Sequence, residues 1–177
     1  MGMSRKVFQA HWTPAKERAA AKQLNGLLVW HFLPVNGKLD NEDGRKAVAG
    51  KTLSVDGEIE LCRRGLHGAI RAIGALQYAP GHIVQRAVLH GEIIKGGDKA
   101  VASHRTCLWL ADAEETLYLM GCWAAKQAIK ARRKEGITID PACDAAIKAR
   151  RLWLKGTIDD AGLSAAESAA WSAAESA

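Results

Sequence analysis

The sequence predicts an α+β fold: a small mixed or antiparallel sheet with a packed helix, followed by a helical C-terminal extension. Segments 27–33, 82–94 and 100–110 are apolar runs or alternate apolar and polar residues, as β-strands do. One central helical pattern lies among them instead of a helix after each strand, which disfavours a doubly wound parallel sheet. Beyond residue 111 the pattern is helical.

The first element is a helix whose two ends are marked in the sequence. Thr13 can accept a hydrogen bond from a free amide of the first turn, and Pro14 suits the first helical position. Asn25 and Gly26 favour the left-handed conformation that ends a helix. The apolar run at 27–33 follows and predicts a buried strand.

The middle of the chain predicts a hairpin and a helix. Segments 52–55 and 58–62 alternate with period two around Asp56-Gly57, a dipeptide typical of type I′ turns. Residues 69–79 carry an apolar stripe at helical spacing. We expect this helix to pack on the sheet, in a core that contains Val29, Ile73, Leu76, Val88 and Leu108.

The sequence divides into four parts. Residues 1–26 contain the N-terminal helix, 27–110 the α+β core, 111–155 a basic helical region and 156–177 an alanine-rich helical repeat tail. The tail consists of tetrads in which Ser-Ala-Ala follows a variable residue. Alanine is the best helix former, so we expect a helix there.

The composition excludes several classes of protein. The chain has 177 residues, 48% hydrophobic and 25% charged, which are ordinary values for a globular protein. The sequence contains no run of about eighteen uncharged apolar residues, so no membrane helix is predicted. The N-terminal residues show no secretory pattern. Four cysteines occur without a C-x-x-C pair. We therefore expect reduced thiols and a cytoplasmic location.

Positive charge is concentrated in one segment. The chain carries a net charge of +6, and residues 126–155 hold nine Lys and Arg against three Asp and Glu. Such a segment can contact nucleic acid or an acidic protein surface, or it can be the solvated face of two helices. The candidate binding residues are Arg132, Arg133, Arg150, Arg151 and Trp153.

Cysteine and histidine suggest two further chemistries. Cys62, His67, His104 and Cys107 would supply two sulfurs and two nitrogens to a zinc ion. We expect no metal, because residues 104 and 107 of a regular strand point to opposite faces. Cys62 is the candidate nucleophile, since neighbouring arginines favour a thiolate. The alternative is that it is a small buried hydrophobic residue.

A specific set of motifs lies between residues 50 and 115. It comprises C-x-x-G-L-H at 62–67, Y-A at 78–79, D-K at 98–99 and R-T-x-L-W at 105–109. This combination resembles an uncharacterised family encoded in phage and prophage genomes, whose members often carry repeat tails. The resemblance implies a phage protein acting in the cytoplasm of a bacterial host cell. The family has no established activity, so the resemblance does not indicate a reaction.

A second set of residues suggests an enzyme. His31 lies in the first strand, and Gly65-Leu66-His67 leads to Tyr78-Ala79. This order resembles ADP-ribosyltransferase-like folds. The resemblance implies NAD as cofactor and His31, His67 and Tyr78 as catalytic residues. It also requires a late glutamate, for which Glu92 and Glu115 are available, although neither lies in a matching motif.

We therefore predict a phage or prophage accessory protein that binds a host macromolecule, most readily a host protein, and uses no cofactor. Antagonism of a bacterial defence system is the concrete form of this hypothesis. The alternatives are an ADP-ribosyltransferase-like enzyme that uses NAD and a non-specific nucleic-acid-binding protein that uses residues 126–155. We expect no membrane partner, and oligomerisation through the C-terminal helix stays open.

Overall fold

The computed structural model describes residues 12–39 and 43–176. The chain divides into two compact units, Met1–Ala113 and Glu114–Ala177, which we call the sheet unit and the helical unit. An antiparallel five-stranded sheet accompanied by helices confirms the predicted α+β class. Residues 1–11 of the predicted N-terminal part lie outside the described residues.

The N-terminal helix forms where the sequence predicts it. Helix α1 spans Pro14–Gln23, and Thr13 Oγ1 accepts a hydrogen bond from the Lys16 amide at 3.3 Å. Asn25 has a φ of +46° and provides the left-handed stop. The carboxylate of Glu17 accepts hydrogen bonds from Arg86 Nε at 3.0 Å and Trp109 Nε1 at 2.8 Å. These two bonds attach the helix to the sheet.

The strands form one sheet that closes on itself. They are β1 (Leu27–Leu33), β2 (Thr52–Ser54), β3 (Leu66–Ala69), β4 (Ile83–Lys95) and β5 (Lys99–Asp112). Their order is β2-β5-β3-β1-β4, and every pairing is antiparallel. Because β4 also pairs with β5, strands β1, β3, β5 and β4 complete a ring.

Apolar side chains are buried on both faces of this sheet. Val29, Ala87 and Leu89 form one cluster with two alanines of β5. On the other face, Val88, Leu108 and Trp109 pack with Ala21 of α1. Burial of both faces explains why β1 is a continuous apolar run, as in other strands covered on both sides. Val29, Val88 and Leu108 are buried as predicted.

The predicted hairpin of 52–55 with 58–62 is wrong. Strand β2 pairs with β5, with Thr52 opposite Thr106, and residues 61–63 form a turn instead of a strand. Gly57 has a φ of +78°, so the chain does turn where Asp56-Gly57 predicts. It turns again at Cys62, which leaves the intervening segment too short to form a ladder.

The predicted helix at 69–79 is also too long. Residues 66–69 form β3, and helix α2 spans only Ala72–Leu76. A Cβ on Gly68 would lie 2.5 Å from Val29 Cγ2, so this glycine permits close approach of β3 to β1. Ile73, predicted as core, is 54% exposed. A helix of about one turn is too short to carry an apolar stripe that packs on the sheet.

The long hairpin of β4 and β5 contains the interruption that Gly91 predicts in this apolar segment. Gly91 has a φ of +77°, and the pairing register shifts between His90 and Ile93. Such a shift is a β-bulge, which bends the strand and re-aims its side chains.

The helical unit contains three helices: α3 (Glu114–Lys134), α4 (Pro141–Leu154) and α5 (Asp160–Glu175). The Asp140 side chain caps α4 by accepting a hydrogen bond from the Ala142 amide, and Pro141 begins the helix. The alanine-rich tail is helical and packs against α4. Among the described residues, no helix is sufficiently long and apolar to cross a membrane.

Candidate functional site

A cavity of about 680 Å³ in the sheet unit is lined by β1, β3, the turn at 62–65 and the end of α2. His31, His67 and Tyr78 all line it, so the structure brings the three predicted catalytic residues together. They meet because β1 and β3 are sheet neighbours, paired at Trp30 and Ala69, and because α2 directly follows β3.

His31 lies in the wall of the cavity as a neutral ring. Its Nδ1 atom is buried and has no hydrogen-bond partner among the described residues. Burial lowers the pKa of His31 to about 3, helped by the positive charge of Arg105 and by nearby His67. At neutral pH this side chain can therefore offer a ligand a hydrogen bond but no charge.

Arg105 is a buried cation in the same cavity, and the sequence did not single it out as a site residue. Its side chain is only 1% exposed, and Nη1 donates to the His67 carbonyl at 2.7 Å. Nε and Nη2 are buried without a partner among the described residues. Burial lowers the pKa of Arg105 to about 10, so it stays charged at neutral pH. An incompletely bonded buried charge of this kind is costly and calls for a partner.

His67 already uses both of its ring nitrogens within its own turn. The Cys62 amide donates to Nε2 at 2.9 Å, so Nε2 is unprotonated, and Nδ1 lies 3.0 Å from the Gly65 carbonyl, to which it must donate. Burial lowers the pKa of His67, which agrees with the neutral form. His67 therefore holds the turn together and has no ring nitrogen left for a substrate.

The mouth of the cavity carries polar side chains. Tyr78 is 54% exposed, and its hydroxyl donates to Asp98 Oδ2 at 3.2 Å. Lys99 Nζ lies 4.3 Å from the centre of the Tyr78 ring. Interaction with the Cys62 and Tyr78 side chains raises the pKa of Lys99, so its ammonium is charged at neutral pH.

The carboxylate that an ADP-ribosyltransferase needs is not among the described lining residues. Glu92 is exposed at the bulge of β4, and Glu115 belongs to the helical unit. The carboxylate that does line the cavity, Asp43, receives two hydrogen bonds from the Arg45 guanidinium, which lower the pKa of Asp43. The described residues therefore provide a binding cavity without an unengaged acid.

The four residues weighed as zinc ligands do not form a metal-binding group in the described part of the chain. Cys107 is buried, with its Sγ 3.7 Å from the Trp109 carbonyl. The His104 ring stacks on His90, with centroids 5.2 Å apart. Cys62 and His67 meet only through a backbone amide.

Most of the candidate binding residues of the helical unit are engaged with other residues of that unit. Arg133 pairs with Asp144, and Arg150 pairs with Glu167. Arg150 also lies over the Trp153 ring, whose Nε1 donates to Asp160 at 2.6 Å. Three of the five side chains thus hold the helices together, while the remaining two, Arg132 and Arg151, are exposed.

The two units also differ in net charge. The helical unit has nine Lys and Arg against nine Asp and Glu, so its basic helices are offset by its own acids. The sheet unit has 16 against ten and carries the whole net charge of +6. An anion is therefore attracted more to the unit that contains the cavity.

No protein-family model, curated protein or solved structure matches the chain. The two resemblances described above therefore stay predictions.

Proposed function

We propose that the sheet unit binds a small anionic molecule of nucleotide size in its cavity. The observation that carries this proposal is the charge of the lining. The lining contains one carboxylate, which is already paired with Arg45, and four cationic side chains: Arg63, Arg64, Lys99 and Arg105. Of these four, Arg63 pairs with the exposed Glu60 at 3.5 Å. A cleft lined mainly by one sign of charge concentrates ligands of the opposite sign.

The size and the walls of the cavity fit this ligand class. A volume of about 680 Å³ lies within the range of about 300–1,000 Å³ that is typical of small-molecule sites. Phe32 and Tyr78 provide aromatic surface beside the cations, as sites for ligands with both rings and charges do. The ADP-ribosyltransferase-like resemblance makes NAD the first nucleotide to test.

The proposed role is binding without catalysis. His67 is occupied by its own turn, and the carboxylate at the cavity is engaged by Arg45. A transferase would need a carboxylate able to interact with the ribose, and the described lining offers none in an unengaged state. The proposal therefore follows the expectation that the protein uses no catalysis of its own.

The direct test is the stability of the purified chain with NAD, ADP-ribose, AMP and uncharged adenosine. A ligand at about one hundred times its dissociation constant raises the free energy of unfolding by about 2.7 kcal/mol. We expect stabilisation by at least one phosphorylated nucleotide and less by adenosine. Lys99→Gln should weaken the effect, whereas Lys95→Gln, outside the cavity on β4, should not.

Two results would contradict the proposal. One is the absence of any stabilisation by phosphorylated nucleotides at millimolar concentration. The other is equal stabilisation of the Lys99→Gln and unsubstituted proteins, because the bound molecule would then lie outside this cavity.

Binding of a host macromolecule is the second candidate, and one surface of α3 favours it. Leu119, Met120 and Trp123 are 42%, 38% and 60% exposed, and their spacing places them on one face of the helix. Clustered exposed apolar side chains often mark a binding surface. A pull-down from a bacterial lysate should recover a partner that the Trp123→Ala variant fails to recover. Recovery of the same proteins by both variants would contradict this use of α3.

A further inference from the structure

We propose that Cys62 is a modification site, whose thiol exchanges with anionic disulfides attracted by the cations at the mouth of the cavity. The inference rests on the cationic cavity of the proposed function, but it concerns a covalent reaction that nucleotide binding does not require. It depends on the exposure of this cysteine, on its neighbours and on the buried charge of Arg105 in the same cavity, which is incompletely hydrogen-bonded among the described residues.

Cys62 is the accessible cysteine of the chain. Its residue is exposed, whereas Cys107 and Cys122 are buried and Cys143 is partly buried. Cys62 also lines the cavity, together with Arg63 and Arg64 that follow it. A disulfide reagent from solution can therefore reach its sulfur at the cavity mouth.

Cations surround this thiol. Lys99 lines the same cavity as Cys62, and its Nζ atom lies 4.3 Å from the centre of the Tyr78 ring. Arg64 donates to the backbone carbonyl of Asp56 and has no carboxylate partner in the described part of the chain. Deeper in the cavity, two buried nitrogens of Arg105 have no partner among the described residues. Each of these positive charges attracts an anionic reagent that approaches the thiol and repels a cationic one.

The backbone fixes the thiol in this position. Cys62 has a φ of +69°, a left-handed conformation that is uncommon outside glycine. Its amide donates to His67 Nε2 at 2.9 Å, and the His67 ring also bonds to Gly65. The turn therefore presents the side chain at the mouth instead of folding it into the core.

The reaction is a thiol–disulfide exchange. The Cys62 thiolate attacks one sulfur of the reagent, a new sulfur–sulfur bond forms, and the reagent's own bond breaks. The second sulfur leaves as a thiolate with the electron pair, and the proton of Cys62 passes to solvent. The disulfide is reduced and Cys62 is oxidised, so no further oxidant is needed. Low-molecular-weight disulfides that carry carboxylates are the expected partner class.

The test compares three disulfides of different charge on the native protein. They are the dianion 5,5′-dithiobis(2-nitrobenzoate), neutral 2,2′-dithiodipyridine and the dication cystamine. Peptide mass spectrometry follows the rates at Cys62 and Cys143, each divided by the rate of N-acetylcysteine amide with the same reagent. We expect Cys62 to prefer the dianion and to lose that preference at high salt.

Variants assign the effect. Lys99→Gln should lower the normalised rate with the dianion roughly five-fold, the effect of one charge pair at about 4 Å in water. Lys95→Gln should leave it unchanged, and Cys62→Ser should remove the modified peptide. Equal normalised rates for the three reagents at Cys62, or no effect of Lys99→Gln, would overturn the inference. Either result can occur while NAD still stabilises the protein, so the inference and the proposed function fail separately.

Discussion

Replacing Arg105 with Met should separate the stability of the sheet unit from its capacity to bind an anion. Met has an unbranched, flexible and apolar side chain, so it can fill most of the buried space of Arg105 without its charge, although it is shorter. If the guanidinium is present for a ligand, its removal should abolish ligand binding without lowering the stability of the free protein.

The magnitude follows from the pKa of the buried group. Burial lowers the pKa of Arg105 from its usual value to about 10, and a change of one in pKa corresponds to about 1.4 kcal/mol. The charge therefore costs the folded state roughly 3 kcal/mol at neutral pH, where both states are protonated. Loss of the bond to the His67 carbonyl offsets about 1–2 kcal/mol of this cost. We expect Arg105→Met to be about 1 kcal/mol more stable.

The assay is urea unfolding at pH 7, repeated with saturating NAD or ADP-ribose. The variant should unfold at an equal or higher urea concentration than the unsubstituted protein, and the nucleotide should no longer shift its midpoint. Destabilisation by more than about 2 kcal/mol would refute the reasoning, because Arg105 would then be satisfied within the fold. Such a result is typical of breaking a buried ion pair.

Three further substitutions test the fold by denaturant unfolding. Glu17→Ala should lower the free energy of unfolding by about 3 kcal/mol, because Arg86 and Trp109 lose their common acceptor. A decrease below about 0.5 kcal/mol would show that other contacts attach α1 to the sheet. Gly68→Ala should cost about 2 kcal/mol or more through the clash of β3 with β1, and a neutral result would contradict the close approach. Cys62→Gly should add about 1 kcal/mol by relieving the left-handed conformation, and destabilisation would mean that its side chain is needed for folding.

Local patterns were sufficient to predict helices α1 and α4 and the long strands of this fold. The caps of α1 and α4 involve neighbouring residues only, so Thr13 and Asp140 could be assigned from their dipeptides with proline. The long strands β4 and β5 repeat their pattern over many residues. His31, His67 and Tyr78 were named from their order in the sequence, and they line one cavity because β1 and β3 are neighbours in the sheet.

The errors arose where long-range packing overrides a local pattern. Glycine is a strand breaker on average, but Gly68 is required inside β3 because Val29 of β1 packs against it. Strand β2 pairs with β5, about fifty residues away, instead of with its sequence neighbour. Arg105 was missed because a charged residue in a strand usually faces solvent. Only closure of the sheet shows that it is buried.

The last prediction concerns acid, and it follows from His31. When the pKa of a histidine is lowered in the folded state, the unfolded state takes up the proton at a higher pH than the folded state does. The stability is therefore complete above the unfolded pKa of 6.5 and is lost as pH falls below it. With a folded pKa of about 3, His31 should contribute a slope of about 1.4 kcal/mol per pH unit between about pH 6 and pH 4. His67 and His90, whose pKa values are also lowered by burial, act in the same direction.

His31→Gln isolates this contribution, because glutamine keeps a polar group in the wall of the cavity and does not titrate. Urea unfolding at pH 6, 5 and 4 should show the variant losing about 1.4 kcal/mol less per pH unit than the unsubstituted protein. The window lies above pH 4 because Asp43, with its lowered pKa, adds a loss of the same sign as pH falls further. Equal slopes for the two proteins would mean that His31 titrates normally in the folded state. The ring would then be hydrated, and the cavity would reach deeper toward Arg105 than the buried Nδ1 of His31 implies.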